Sequence, residues 1–110
     1  MGKFVKGAIV ILPFPFSDLT TSKKRPAFVI ADLDGNDVIV CQITSKVKSD
    51  HYSISLSKAD FKSGRLDQDS FIRPNRLFTA DANIVLYKAG NANSAKIDEV
   101  IAKVIEIIKQ

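Results

Sequence analysis

The chain holds one cysteine, Cys41, and one histidine, His51, in 110 residues. A single cysteine closes no internal disulfide, and its place in the apolar run "VIVCQI" points to a buried, inert thiol rather than a nucleophile. The expected compartment is reducing, hence cytoplasmic. With no His or Cys pair at ligand spacing and the acids scattered, neither a metal nor a cofactor is expected. Five glycines supply no phosphate-cradling loop and no dinucleotide fingerprint, and no nucleophile elbow is present. Long apolar runs are also missing. The first one stops at Pro13, too short for a secretory h-region, and no window approaches the roughly 20 residues that a membrane-crossing helix requires. A soluble protein with no membrane partner is the expectation.

What the chain does have is the balance of an ordinary folded protein, with 45% hydrophobic and 25% charged residues. The length fits a single domain, residues 1–110, built on one core. The net charge of +4 suits an anionic partner such as nucleic acid, although charge alone decides little.

Local patterns predict mainly β structure. Ala8 to Leu12 form a continuous Val/Ile-rich run between Gly7 and Pro13, a buried first strand. "FSDLTTSKK" has no periodicity and reads as an exposed connection. "RPAFVIADLDGNDVIVCQITS" is two β-rich runs around Asp34-Gly35, the signature of a tight hairpin whose two central residues accept positive φ. "HYSISLS" alternates Tyr52, Ile54 and Leu56 with serines, a strand with one buried face. Ser57 is placed to cap a helical turn over "KADFK" that Gly64 ends. In "DSFIRPNRLFTAD", Pro74 implies an edge, bulge or bend, and "NIVLYKAG" adds a short apolar run.

From Ser94 onward, Ile97, Val100, Ile101, Val104, Ile107 and Ile108 recur at helical spacing, with Lys96, Asp98, Glu99, Lys103, Glu106 and Lys109 on the polar side. Several short strands and one terminal helix predict an α+β fold. The architecture expected is a small, bent antiparallel sheet or partly open barrel with the helix on one side.

The remaining chemistry is a set of cations and hydroxyls: Lys23, Lys24 and Arg25 before one strand, Thr44 and Ser45 closing the next, and Arg73, Asn75, Arg76 and Thr79 later. With the turn at Asp34-Gly35, partners sum to about 69, so Arg25 falls opposite Thr44 at the open end of the hairpin. A guanidinium beside a hydroxyl can hold and polarise a phosphodiester, the fork binding two oxygens and the hydroxyl donating to a third. Arginine's role there is to neutralise charge and donate hydrogen bonds, not to accept a proton. The competing reading of Arg25 is an edge arginine paired with Asp18 or Asp32. His51 is a candidate general base or a solvated loop histidine.

"GAIVILPFPFSDLTTSKKRPAFVIA" followed by "VIVCQITS" resembles the PemK/MazF toxins of type II toxin–antitoxin systems. The resemblance extends through "DSFIRPNRLFTAD" and the terminal helix. It implies an SH3-like barrel of antiparallel strands, a homodimer, and a metal-independent endoribonuclease that cuts single-stranded mRNA at short sequences. In such enzymes the ribose 2′-hydroxyl attacks the adjacent phosphorus, leaving a 2′,3′-cyclic phosphate and a 5′-hydroxyl. A cognate antitoxin neutralises them.

Carried over by position, the resemblance makes Arg25 and Thr44 the catalytic pair and Ser17, Lys23 and Lys24 phosphate contacts; Phe16, beside the predicted loop, is a candidate to stack a base, and Ser45, Arg73 and Asn75 are further substrate-binding candidates. In the segment matching "IRPNR", Arg73 fits the family's arginine, while Asn75 stands where some relatives carry an aspartate. An amide can orient a ribose but takes no proton, so the general base is open among His51, Asp81 and a water. The alternatives are a gyrase-poisoning toxin of the same fold and a catalytically weak RNA-binding relative.

Overall fold

The computed structural model describes residues 4–14, 23–46 and 50–110, with Phe14 described by its backbone alone. Seven strands form one sheet: β1 (Ala8–Phe14), β2 (Lys23–Asp32), β3 (Asp37–Thr44), β4 (Ile54–Leu56), β5 (Phe61–Gly64), β6 (Ser70–Asp81) and β7 (Tyr87–Ala92). The helix α1 (Ser94–Lys109) closes the chain. The strand order is β4-β6-β3-β2-β1-β7-β5, and every pairing is antiparallel.

The apolar runs of β1, β2 and β3 are continuous because both faces of these strands are buried. Val10, Val29 and Val40 belong to one buried cluster, while their neighbours Ile9, Phe28 and Cys41 belong to the other. Successive side chains of a strand point to opposite faces, so the two clusters lie on the two sides of the sheet. A flat sheet of seven strands with a single helix layer would be much thinner than it is wide. The chain instead measures 34 × 31 × 30 Å, so the sheet curls into a half-barrel. The edge strands β4 and β5 are only three and four residues long, which limits the unpaired edge exposed to other chains. Burial pushes the Cys41 thiol up to about 12, against a smaller opposing backbone hydrogen bond, and leaves it without nucleophilic character.

The hairpin register follows the expected sum of 69 at Ala27↔Gln42, Phe28↔Cys41 and Val29↔Val40, then shifts at Ile30 to give Ala31↔Ile39 and Asp32↔Val38. The turn itself differs from expectation. Among the described non-glycine residues none has positive φ, so in this turn only Gly35 (φ +73°) is left-handed, and the Leu33 N–H donates to the Asp37 carbonyl at 3.0 Å across a four-residue connection. The irregularity at Ile30 absorbs the difference.

Of the edge, bulge or bend that Pro74 implied, the structure has a bulge. Cys41 pairs with Leu77 and Gln42 with Arg73, so Pro74, Asn75 and Arg76 have no partners on β3. The bulge frees the proline from any ladder bond, and Pro74 itself is fully buried.

Three local expectations are corrected. Helical geometry after Ser57 covers only Lys58–Asp60, as a 3-10 turn, because Phe61 already pairs with Ala92 as the start of β5. The Asp60 carboxylate accepts from the Ser57 N–H at 2.8 Å, which fixes the turn from its far end. The apolar run "NIVLYKAG" is split: Ala82–Ile84 form a second 3-10 turn, and the strand is "YKAGNA".

The third correction is Lys96, expected on the polar side of α1 but 7% exposed. Its ammonium donates to the Ser55 carbonyl at 2.9 Å and to Glu99 Oε1 at 2.8 Å, and lies 3.7 Å from Asp60 Oδ1. It ties the helix start to β4 and the first 3-10 turn. Asn93 caps α1 by accepting from the Lys96 N–H at 2.9 Å, and Val100 and Val104 bury its apolar side.

Candidate active site

Arg25 lies near the start of β2, opposite Leu12 of β1, and Thr44 ends β3, opposite Phe71 of β6. The β2–β3 ladder is continuous up to Ala27↔Gln42. Carried two residues beyond the paired stretch, the same register would set Arg25 opposite Thr44.

Both residues line one cavity of about 200 Å³, together with Ser45, Asp67, Ser70 and Tyr87. Pro26 and Ile43, which alternate with Arg25 and Thr44, line it as well, so the cavity lies at the ends of the strands rather than on either face. Its volume is below the roughly 300 Å³ at which pockets begin to enclose whole small molecules, and it suits one linkage of a longer chain.

The two residues differ in how they are held. Thr44 is 8% exposed, and its Oγ1 accepts from the Lys46 N–H at 3.2 Å, which orients the hydroxyl. Arg25 is half-buried and, among the described residues, makes no ion pair. The alternative in which Asp32 neutralises it is therefore not what the structure contains, and Asp18 lies outside the described residues.

The floor of the cavity comes from the segment before β6. Ser70 is buried, and its hydroxyl donates to the Gln68 carbonyl at 3.0 Å, which fixes the turn that carries Asp67. Asp67 is the one carboxylate among the described lining residues, and Tyr87, 58% exposed, is the one aromatic. Sequence reasoning singled out neither. Asp67 sits in the polar run "DQD" and Tyr87 follows an apolar run, so only the β1–β7 pairing of Ile11 with Tyr87 brings that side of the cavity together.

The other expected site residues fall elsewhere. Ser45 lines the cavity, and Lys23 and Lys24 are exposed at the start of β2. Phe16 and Ser17 lie outside the described residues. Arg73 and Asn75 do not line the cavity: Asn75 is exposed on the bulge, and Arg73 donates to Asp50 Oδ2 at 3.1 Å with its side chain 12% exposed.

Asp50 in turn accepts from the Tyr52 N–H, the Ser53 N–H and the Ser53 hydroxyl, each at 3.0 Å. Desolvation works to raise its carboxyl, but the hydrogen bonds from Ser53, Tyr52 and Arg73 outweigh it and hold the group below its ordinary value. This cluster braces the 50–53 turn against β6.

Of the residues offered as a base, His51 is exposed with its ring 4.2 Å from that of Tyr52, and it is not a cavity residue. Asp81 pairs with Asp37 at the opposite end of β3, seven residues and about 23 Å from Thr44. Among the described residues, no three of His, Cys, Asp and Glu are grouped so as to hold a metal ion. Among the described residues, no helix is long and apolar enough to cross a membrane.

Solved structures share this architecture. An endoribonuclease from a mycobacterial species, solved with its cognate antitoxin, superposes with a TM-score of 0.77 at 8% identity, over 96% of this chain and 95% of that one. The MazE–MazF complex of Deinococcus radiodurans gives 0.75 at 19% identity, over 96% and 95%. The Mycobacterium tuberculosis toxin MazF-mt6 gives 0.70 at 16% identity, over 91% and 93%. At these identities the likeness is one of fold. No curated protein sequence matches the chain. The family model for the PemK-like, MazF-like toxin of type II toxin–antitoxin systems, however, matches residues 5–108, and the chain belongs to that family.

Proposed function

We propose that this protein is a toxin endoribonuclease that cleaves single-stranded mRNA without a metal ion, with Arg25 and Thr44 as its catalytic pair. The observation that carries the proposal is their shared cavity, in which Arg25 has no ion-pair partner among the described residues. A phosphodiester drawn into it meets a guanidinium fork and an oriented hydroxyl.

In the reaction, the ribose 2′-oxygen attacks phosphorus and the P–O5′ bond breaks, which leaves a 2′,3′-cyclic phosphate and a 5′-hydroxyl. Arg25 and Thr44 stabilise the charge that builds on the non-bridging oxygens. The Asp67 carboxylate takes the 2′-hydroxyl proton, the role that Asn75 is unable to fill. Water protonates the departing O5′ in this solvent-open site. Tyr87 offers a face on which a flanking base can stack.

The working form is a homodimer neutralised by a cognate antitoxin. Large apolar side chains left in solvent, including Leu86 at 50% and Ile108 at 70% exposure, supply surface that partner chains would cover.

The test is incubation of the purified protein with defined single-stranded RNA in EDTA, followed by mass analysis of the ends. Fragments with cyclic phosphate and 5′-hydroxyl termini are expected, and Asp67→Asn should slow their formation by about 10²-fold or more. RNA that stays intact in EDTA yet is cut when a divalent ion is supplied would overturn metal independence. RNA that stays intact under both conditions would overturn the nuclease assignment.

A further inference from the structure

A second cavity, of about 590 Å³, runs along β7 from Lys88, the residue after Tyr87 of the Arg25–Thr44 site, to Ala92, and three of its lining residues are lysines: Lys6, Lys62 and Lys88. All three are exposed, none makes an ion pair among the described residues, and no carboxylate occurs among the described lining residues. Nothing in the chemistry at Arg25 and Thr44 uses them. Like charges brought around one concavity repel each other, and an anion relieves that repulsion.

The walls are held by backbone and amide contacts, so the lysines project from a fixed frame. The Ala92 N–H donates to the Gly7 carbonyl at 2.9 Å, and the Asn93 N–H to the Asp60 carbonyl at 2.8 Å. Asn91 Nδ2 donates to Ser63 Oγ at 3.0 Å, and Asn93 Nδ2 to the Ala59 carbonyl at 3.2 Å. Each of these amides thus spends one of its two N–H donors on the frame, and the charge available to a ligand comes from the ammonium groups.

We infer that this lysine-lined cavity is a second phosphate-binding site, which holds the RNA backbone beyond the scissile linkage. The inference rests on the ribonuclease assignment above. Lys88 is the residue after Tyr87 of the first cavity, and the lining of the second continues along the strand to Ala92. At about 3.3 Å per residue this wall reaches from about 3 Å to about 17 Å beyond Tyr87, the span of one to about five nucleotides at 3.4 Å per phosphate in a stacked strand. A substrate of four nucleotides meets only the near part of the second cavity, and a longer one meets all of it. Lysine, a flexible point charge, suits contacts to successive phosphates without regard to sequence.

The test uses mixed-sequence 2′-O-methyl RNA, which lacks the attacking hydroxyl and is not cut, as a labelled 20-mer and a labelled 4-mer. Binding is measured by anisotropy across a salt series, for the wild type, for the Lys6→Ala, Lys62→Ala, Lys88→Ala triple variant, and for the matching triple lysine-to-arginine variant. Loss of three phosphate contacts should reduce the slope of log affinity against log salt for the 20-mer by about 2. The ratio of 20-mer to 4-mer affinity should fall, and arginine should restore both.

An unchanged slope in the alanine variant overturns the inference and leaves the ribonuclease assignment standing. Lysine-dependent binding by a protein that cuts no RNA has the opposite meaning, since the cavity would then be real and the assignment wrong. Poly-glutamate that binds with the same lysine dependence and more tightly than the 20-mer would transfer the surface to an acidic protein partner and overturn the RNA assignment of this cavity.

Discussion

Replacing Arg25 by methionine and Thr44 by valine separates catalysis from stability, because the two residues are tied to the core so lightly. Methionine keeps most of the aliphatic stem of Arg25, and among the described residues no carboxylate is left unpaired when the charge goes. The expected cost is within about 0.5 kcal/mol, whereas breaking a buried ion pair costs about 3–5 kcal/mol. Valine at position 44 removes the acceptor of the Lys46 N–H, but Lys46 is exposed and water replaces the bond, so about 0.5–1.5 kcal/mol is expected. For a chain of this size these costs lower Tm by less than about 3 °C and about 8 °C respectively. Cleavage should fall far more, by about 10²–10³-fold for each, because in the proposed mechanism both groups act on charge that exists only in the transition state. The double variant should cost little beyond the worse single one, since in that mechanism the two serve one phosphoryl group. The assay pairs thermal melting with cleavage of a doubly labelled single-stranded oligonucleotide. A Tm loss above about 10 °C for Arg25→Met would reveal a structural ion pair. Cleavage within about threefold of wild type in either variant would remove these residues from the chemistry.

Two further perturbations probe the frame that holds the site. The Asp50 carboxyl is held below its ordinary value of 3.8, so it stabilises the native state fully above that pH and loses the contribution as pH falls below it. Urea midpoints of the wild type and Asp50→Asn should therefore differ most near about pH 6 and converge in acid, and a constant difference would refute the bracing role given to Asp50. Alanine at Gly64 (φ +73°) would drive its Cβ into the Ala89 carbonyl, whereas alanine at Gly35, also at φ +73°, meets nothing within 4 Å. Gly35→Ala should cost about 1–2 kcal/mol from the backbone alone, and Gly64→Ala visibly more; equal costs would mean that β5 and β7 are not packed as closely as described.

The parts of the fold that rest on local chemistry were legible in the sequence. Pro74 announced a bulge because it has no N–H to give, and the alternation of Ile97, Val100 and Val104 with charges announced α1. The Arg25–Thr44 juxtaposition was legible although the turn differs, because the shift at Ile30 restores the sum of 69 that a tight turn at Asp34-Gly35 implies. The residues that sequence reasoning missed depend on long-range pairing. Tyr87 reaches the site through β1, and Asp67 through the turn that Ser70 pins, and no short pattern encodes either contact. Lys96 was misplaced because a helical wheel assigns every lysine to water. A long side chain leaning toward the helix N-terminus can instead reach a carbonyl and two carboxylates.

The geometry of the site depends on the core more than on the hairpin turn. A slip of β3 by one residue against β2 would turn Thr44 to the face opposite Arg25, and would also exchange Val40 and Cys41 between the two buried clusters. Both are fully buried in close-packed surroundings, where a side chain of the wrong shape costs about 1–3 kcal/mol, so the register is fixed at Ala27 to Val29. The shift at Ile30 lies on the turn side of that pinned stretch. The unexpected turn conformation is thereby confined to the far end of the hairpin, and the register that sets Arg25 against Thr44 is decided by apolar residues that take no part in the chemistry.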